Sequence, residues 1–120
     1  MSDTANQPGS VAVVAADLIF ASRIRAAAAA AGVRTRFARN HTELLAAAAE
    51  ADLVIVDLDA RWVDPATSIQ RLKEHVTTPV VAFVSHVRAD AIEAARNAGA
   101  DRVLARSAFV SQLPEILGRR

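Results

Sequence analysis

Short unbroken apolar runs recur along this chain, separated by longer stretches in which apolar residues return every three or four positions. The runs at 11–15, 53–56 and 80–84 show no polar alternation, which suits strands buried on both faces in the middle of a parallel sheet. Residues 33–38 alternate instead, with Arg34 and Arg36 between Val33, Thr35 and Phe37, and predict an edge strand with one wet face. A last short strand is expected at 101–105.

Between the strands the spacing predicts helices, each with its own start or stop signal. Asp17 can cap a helix over 18–31, because a short side-chain oxygen satisfies a free first-turn amide, and Gly32 tolerates the left-handed turn that ends it. Asn40, followed three residues later by Glu43, reads as a capping box for 41–50. Asp64 and Pro65 supply a cap and a first helical residue for 65–75. Ser85 and His86 are placed to cap the next helix, which carries Ala91, Ile92, Ala95 and Ala98 on one face and ends at Gly99. In the final helical segment Pro114 removes a ladder bond, so a kink or a second start is expected there. Five alternations of strand and helix with short connections predict a flavodoxin-like, doubly wound (βα)5 three-layer sandwich, its five-stranded parallel sheet in the order 2-1-3-4-5. Residues 1–9 are polar, carry Pro8 and Gly9, and are expected to form a flexible tail before one domain over 10–120.

Composition narrows the function classes. Hydrophobic residues make up 52% of the chain and aromatics only 4%, so the core must be built from Ala, Val, Leu and Ile. Fourteen basic against thirteen acidic residues give a net charge of +1, too weak a field to draw in nucleic acid or a membrane surface. With no cysteine there is no disulfide framework, thiol nucleophile or thiolate metal site, and His41, His75 and His86 lack ligand spacing. No basic leader precedes the run at 11–20, which Asp17 interrupts, so the expected location is the cytoplasm. Six alanines at 26–31 suit close packing of a helix on the sheet; the alternative is a flat docking face for a partner helix.

The stretch ADLVIVDLDA at 51–60 carries the candidate chemistry. Asp57 falls at the carboxyl end of the predicted third strand, with Asp59 two residues on, and loops at that edge of an open α/β sheet line the crevice where ligands bind. The plainer alternative is that Asp57 ends the strand and caps a turn. Trp62, the only tryptophan, lies in the following loop and is a built-in reporter of that region.

Three segments in this order, ADLVIVDLD at 51–59, TPVVAFVSH at 78–86 and NAGADRVLARS at 97–107, resemble the receiver domain of bacterial two-component response regulators (CheY-like), over 11–117. The resemblance implies that Asp57 is the position that accepts a phosphoryl group, a reaction in which Mg²⁺ neutralises negative charge. The acidic pair that holds the metal in that family corresponds here to Ala15 and Ala16, with Asp17 one residue late. The Thr or Ser that ends the fourth strand is Val84, with Ser85 next; the usual Lys is Arg106, the Pro after it is Ser107, and the aromatic of the last strand is Val103.

The resemblance with this degenerate acidic pocket implies an atypical or pseudo-receiver: a stand-alone signalling module, not an enzyme, that acts by protein–protein interaction without ordinary Mg²⁺-dependent phosphorylation and without a cofactor. Arg106 is then expected to form a two-pronged pair with Asp57. One alternative keeps Asp57 as a working phosphoacceptor in a phosphorelay, with Mg²⁺ held by Asp57, Asp59, a backbone carbonyl and Asp17. A second is a small-molecule-binding flavodoxin-like domain, although the turn at 15–17 has no glycine to cradle a phosphate. The expected partner is a signalling protein or a second copy of the chain. For a homodimer, the fourth helix, last strand and last helix would present Arg88, Asp90, Glu93, Arg96, Asp101 and Arg102, a mixed-sign set that could equally be a solvated face.

Overall fold

A computed structural model describes residues 9–61, 64–85 and 88–118. Strands and helices alternate as β1 (Ser10–Val14), α1 (Leu18–Ala30), β2 (Arg34–Phe37), α2 (His41–Ala49), β3 (Leu53–Asp57), α3 (Pro65–His75), β4 (Val80–Val84), α4 (Ala89–Ala98), β5 (Arg102–Ala105) and α5 (Arg106–Ile116). All pairings are parallel and the order is β2-β1-β3-β4-β5, as the alternation predicts. Every residue of β3 and β4 is buried, the physical reason their sequences carry no polar alternation. β2 sits at one edge and alternates exposed Arg34 and Arg36 with partly covered Thr35 and Phe37.

Side-chain parity along the strands separates two cores and so makes three layers. Val11, Val13, Ile55 and Phe83 pack against Phe20, Ile24 and Ala28 of α1 and against Phe109 and Leu113 of α5. Val14, Val54, Val56 and Val84 point the other way, onto Leu44 of α2, Ile69 and Leu72 of α3 and Ala95 of α4. Full burial of each such aliphatic side chain contributes about 1.5–3 kcal/mol, and this, more than any surface pair, holds the layers together. Within the alanine run Ala28 is fully buried against the sheet while Ala26, Ala29 and Ala30 face solvent, so close packing accounts for part of the run only.

Several caps form as predicted. Phe20 donates its N–H to Asp17 Oδ1 at 2.7 Å, and Glu43 donates to Asn40 Oδ1 at 2.8 Å while its own carboxylate accepts from Arg39 N–H at 2.8 Å. Others differ. Asp64 accepts from the Thr67 hydroxyl at 2.7 Å and takes no first-turn amide. Arg88, not Ser85, occupies the N-cap position of α4 and offers no side-chain cap; the Ser85 N–H is directed instead to Asp59 Oδ2 at 2.9 Å. α5 runs through Pro114 with no second start, because Leu113 is buried just before the proline and the Leu117 N–H bonds to Leu113 C=O at 2.9 Å beyond it. Gly9, expected in the tail, is tied to the sheet: its N–H donates to Asp52 Oδ2 at 2.7 Å and its carbonyl accepts from Arg34 N–H at 3.1 Å. The rest of the tail, Trp62 and His86 lie outside the described residues.

Candidate functional site

β3 ends with Asp57 because an unbroken aliphatic run carries the chain through the middle of the sheet and a carboxylate stops it at the carboxyl edge. Asp57 shares strand parity with Leu53 and Ile55 and is in register with Phe83, so it belongs to the α1/α5 side of the sheet. Its side chain is 0% exposed. Oδ1 accepts from Asp59 N–H at 2.9 Å, the turn-capping arrangement that was the plainer reading of this residue. Oδ2 accepts from Ala16 N–H at 2.9 Å and lies 3.6 Å from Arg106 Nη2.

Arg106 is the first residue of α5, one place after β5 ends, and reaches back over the sheet edge. The expected two-pronged pair with Asp57 does not form. A single nitrogen, Nη2, lies 3.6 Å from Asp57 and 3.6 Å from Asp17, while the guanidinium carbon sits over the Phe20 ring, 4.4 Å from its centroid. Phe20, Phe83 and Phe109 form one aromatic group beneath it: Phe83 and Phe109 stack at 4.4 Å, and Phe20 meets Phe83 at 4.9 Å. Three of the four phenylalanines of the chain are therefore gathered under this one arginine. Sequence reasoning missed this cluster, since each Phe looked like one apolar position among many.

Asp59 is engaged on both oxygens. Oδ1 takes Arg88 Nη2 at 3.2 Å and Oδ2 takes Ser85 N–H at 2.9 Å. Burial is the largest single effect on its carboxyl and raises its pKa, but the Ser85 hydroxyl and N–H together with Arg88 and Arg106 outweigh it and hold the group below the usual aspartate value. Asp57 goes the other way. Burial, again the largest effect, pushes its carboxyl above the usual value; the Asp59 and Ala16 amides oppose that, the Asp59 charge adds to it, and the distant Arg106 is too weak to reverse it.

Ala15 packs partly against the α1/α5 core and Ala16 contributes its backbone N–H, so neither position offers a side-chain ligand. Val84 is buried in the opposite core, among Val56 and Ala82, and does not reach Asp57. A divalent cation does not fit here. Among the described residues no three acidic, histidine or cysteine side chains converge to hold a metal, and the carboxylates of Asp57, Asp59 and Asp17 already accept from protein N–H donors. Mg²⁺ asks for several free oxygens in near-octahedral array, which this set does not supply.

Of the mixed-charge face, Asp101 is paired, taking Lys73 Nζ at 2.9 Å and Val80 N–H at 2.7 Å; Arg102 is hydrogen-bonded to Gln112 and Arg88 to Asp59. Asp90, Glu93 and Arg96 on α4 are exposed and, among the described residues, without a partner. No helix among the described residues is long and apolar enough to cross a membrane.

No family model and no curated protein matches the sequence. Solved structures do match. The receiver domain of Francisella response regulator 1452 superposes with a TM-score of 0.76 at 20% identity, over 91% of this chain and 93% of that one. The signal receiver domain of the NarL response regulator of Mycobacterium tuberculosis gives 0.76 at 16% identity, over 92% and 93%. The fold is that of response regulator receiver domains. A Burkholderia pseudomallei response regulator described with a phosphorylated aspartic acid and a calcium ion also gives 0.76, at 22% identity, over 90% of this chain and 65% of that one.

Proposed function

We propose that this chain is an atypical receiver of two-component type, a cytoplasmic signalling module that works by binding another protein and does not use ordinary Mg²⁺-dependent phosphorylation of Asp57. The observation that carries this reading is the state of the Asp57 carboxylate. It is fully buried, raised in pKa, and hydrogen-bonded on both oxygens by the backbone of Ala16 and Asp59. A carboxylate that attacks a phosphodonor has to present a free oxygen and have the incoming charge neutralised by metal and cation. The Burkholderia pseudomallei neighbour is described with that chemistry accomplished. Here the positions that the resemblance assigns to the metal's acidic pair are alanines, and Asp57 Oδ2 accepts from the Ala16 amide.

The reading predicts indifference to Mg²⁺. In a titration followed by amide NMR, the signals of Ala16, Asp59 and Ser85 are expected to stay in place up to about 10 mM MgCl2, roughly tenfold beyond the weak end of protein oxygen sites. A saturable shift at those amides that vanishes in Asp57→Asn contradicts the reading and favours the phosphorelay alternative.

A further inference from the structure

A cleft of about 850 Å³ lies between the start of α1 and the start of α5, with Asp17, Ile19, Phe20, Arg23, Arg106 and Ser107 in its lining. We infer that it is a binding site for a small organic anion, with a carboxylate or phosphate head set between Arg23 and Arg106 and an apolar body laid along Ile19. The inference stands whether or not Asp57 is ever phosphorylated.

The first ground is the unfinished hydrogen bonding of Arg106. Both of its carboxylate contacts are 3.6 Å long, beyond the 2.7–3.2 Å of an N–H···O bond, and its Nε is buried with no acceptor. Five N–H donors of a planar fork suit a two-oxygen head, and the guanidinium already rests over the Phe20 ring, 4.4 Å from its centroid. The second ground is charge. Arg23 is exposed on the same rim without an acidic partner among the described residues, while Asp17, the only carboxylate of the lining, already accepts from Phe20 N–H. Within the lining, two guanidinium groups stand against one carboxylate, with Asp57 3.6 Å behind Arg106. α5 adds to this, since Ala105 provides no side-chain cap for its first turn and Ser107 places a hydroxyl there.

The third ground sets the body of the ligand. Ile19 is 82% exposed, one of two large apolar side chains left bare among the described residues, and it shares the lining with Phe20 and Val110. An inorganic ion would leave that surface wet. A ligand with an aryl or aliphatic body would cover it, at about 25 cal/mol for each Å² removed from water.

Phenylphosphonate, benzoate and methylphosphonate separate these contributions, and the carbon–phosphorus bond of the phosphonates rules out phosphoryl transfer as the source of a signal. In amide NMR titrations, saturable shifts are expected at 19–23 and 105–110 with phenylphosphonate or benzoate, whichever binds tighter naming the head. Methylphosphonate, which lacks the body, is expected to bind at least about tenfold more weakly. Arg23→Gln, an exposed change that spares the core, is expected to weaken binding about tenfold, the loss of one charge-assisted hydrogen bond. Arg34→Gln on the far edge of the sheet is expected to change nothing. The inference is overturned by no saturable shift with either aryl anion, by equal binding of methylphosphonate, by undiminished binding in Arg23→Gln, or by shifts that are as large at Arg34 and Arg36.

Discussion

Asp57 is a fully buried carboxylate held at the edge of the sheet by the amides of Ala16 and Asp59. Its pKa is raised in the folded protein, chiefly by burial, above the aspartate value of 3.8. A proton is then released from the unfolded chain at lower pH than from the folded one, so stability contributed by this group is full below about pH 4 and falls as pH rises through the folded value. Urea unfolding across about pH 4–8 is expected to show that fall, at most about 1.4 kcal/mol per pH unit, in the natural protein and not in Asp57→Asn. The same slope in both would mean that Asp57 titrates normally. Asp101 has the opposite sign: burial, its largest effect, raises its pKa, but Lys73 and the Val80 amide outweigh it and lower the carboxyl, so its stabilisation is present above the ordinary aspartate range and lost in acid. Its position was legible in the sequence and its role was not. A charge on an expected surface strand looks solvated until Lys73 of α3 is seen to reach it.

Among the elements, strands and helices could be read almost to the residue, because two periods, unbroken runs for buried strands and three-to-four spacing for helices, dominate the pattern. What could not be read were the interactions that need two distant segments, such as Ser85 turned away from α4 toward Asp59. Glycine positions were legible for a physical reason, and they can be ranked. Gly99 has φ of 112°, and an added Cβ would come 3.0 Å from Lys73 Cγ; Gly32 has φ of 75° with open space around it. Gly32→Ala is expected to cost about 1–2 kcal/mol from the left-handed conformation alone. Gly99→Ala should cost more, since it also displaces the lysine that holds Asp101. Equal losses in denaturant unfolding would remove the part assigned to Lys73.

At the scale of the whole molecule, the aromatic group joins α1, β4 and α5 at the carboxyl edge, directly beneath Arg106. Phe83→Ala is expected to destabilise the protein by about 3–5 kcal/mol, as large aromatic deletions from a full core do, and to loosen Arg106 with it. A loss below about 1 kcal/mol in calorimetry would mean that the cluster is not the keystone of that edge. The receiver fold follows from the topology and from the superposition on solved receivers. The central claim, that Asp57 is not phosphorylated in the ordinary Mg²⁺-dependent way, is tested most directly by intact mass after treatment with acetyl phosphate and Mg²⁺. The account predicts an unchanged mass for the natural protein; the gain of one phosphoryl group, absent from Asp57→Asn treated alongside, would contradict it.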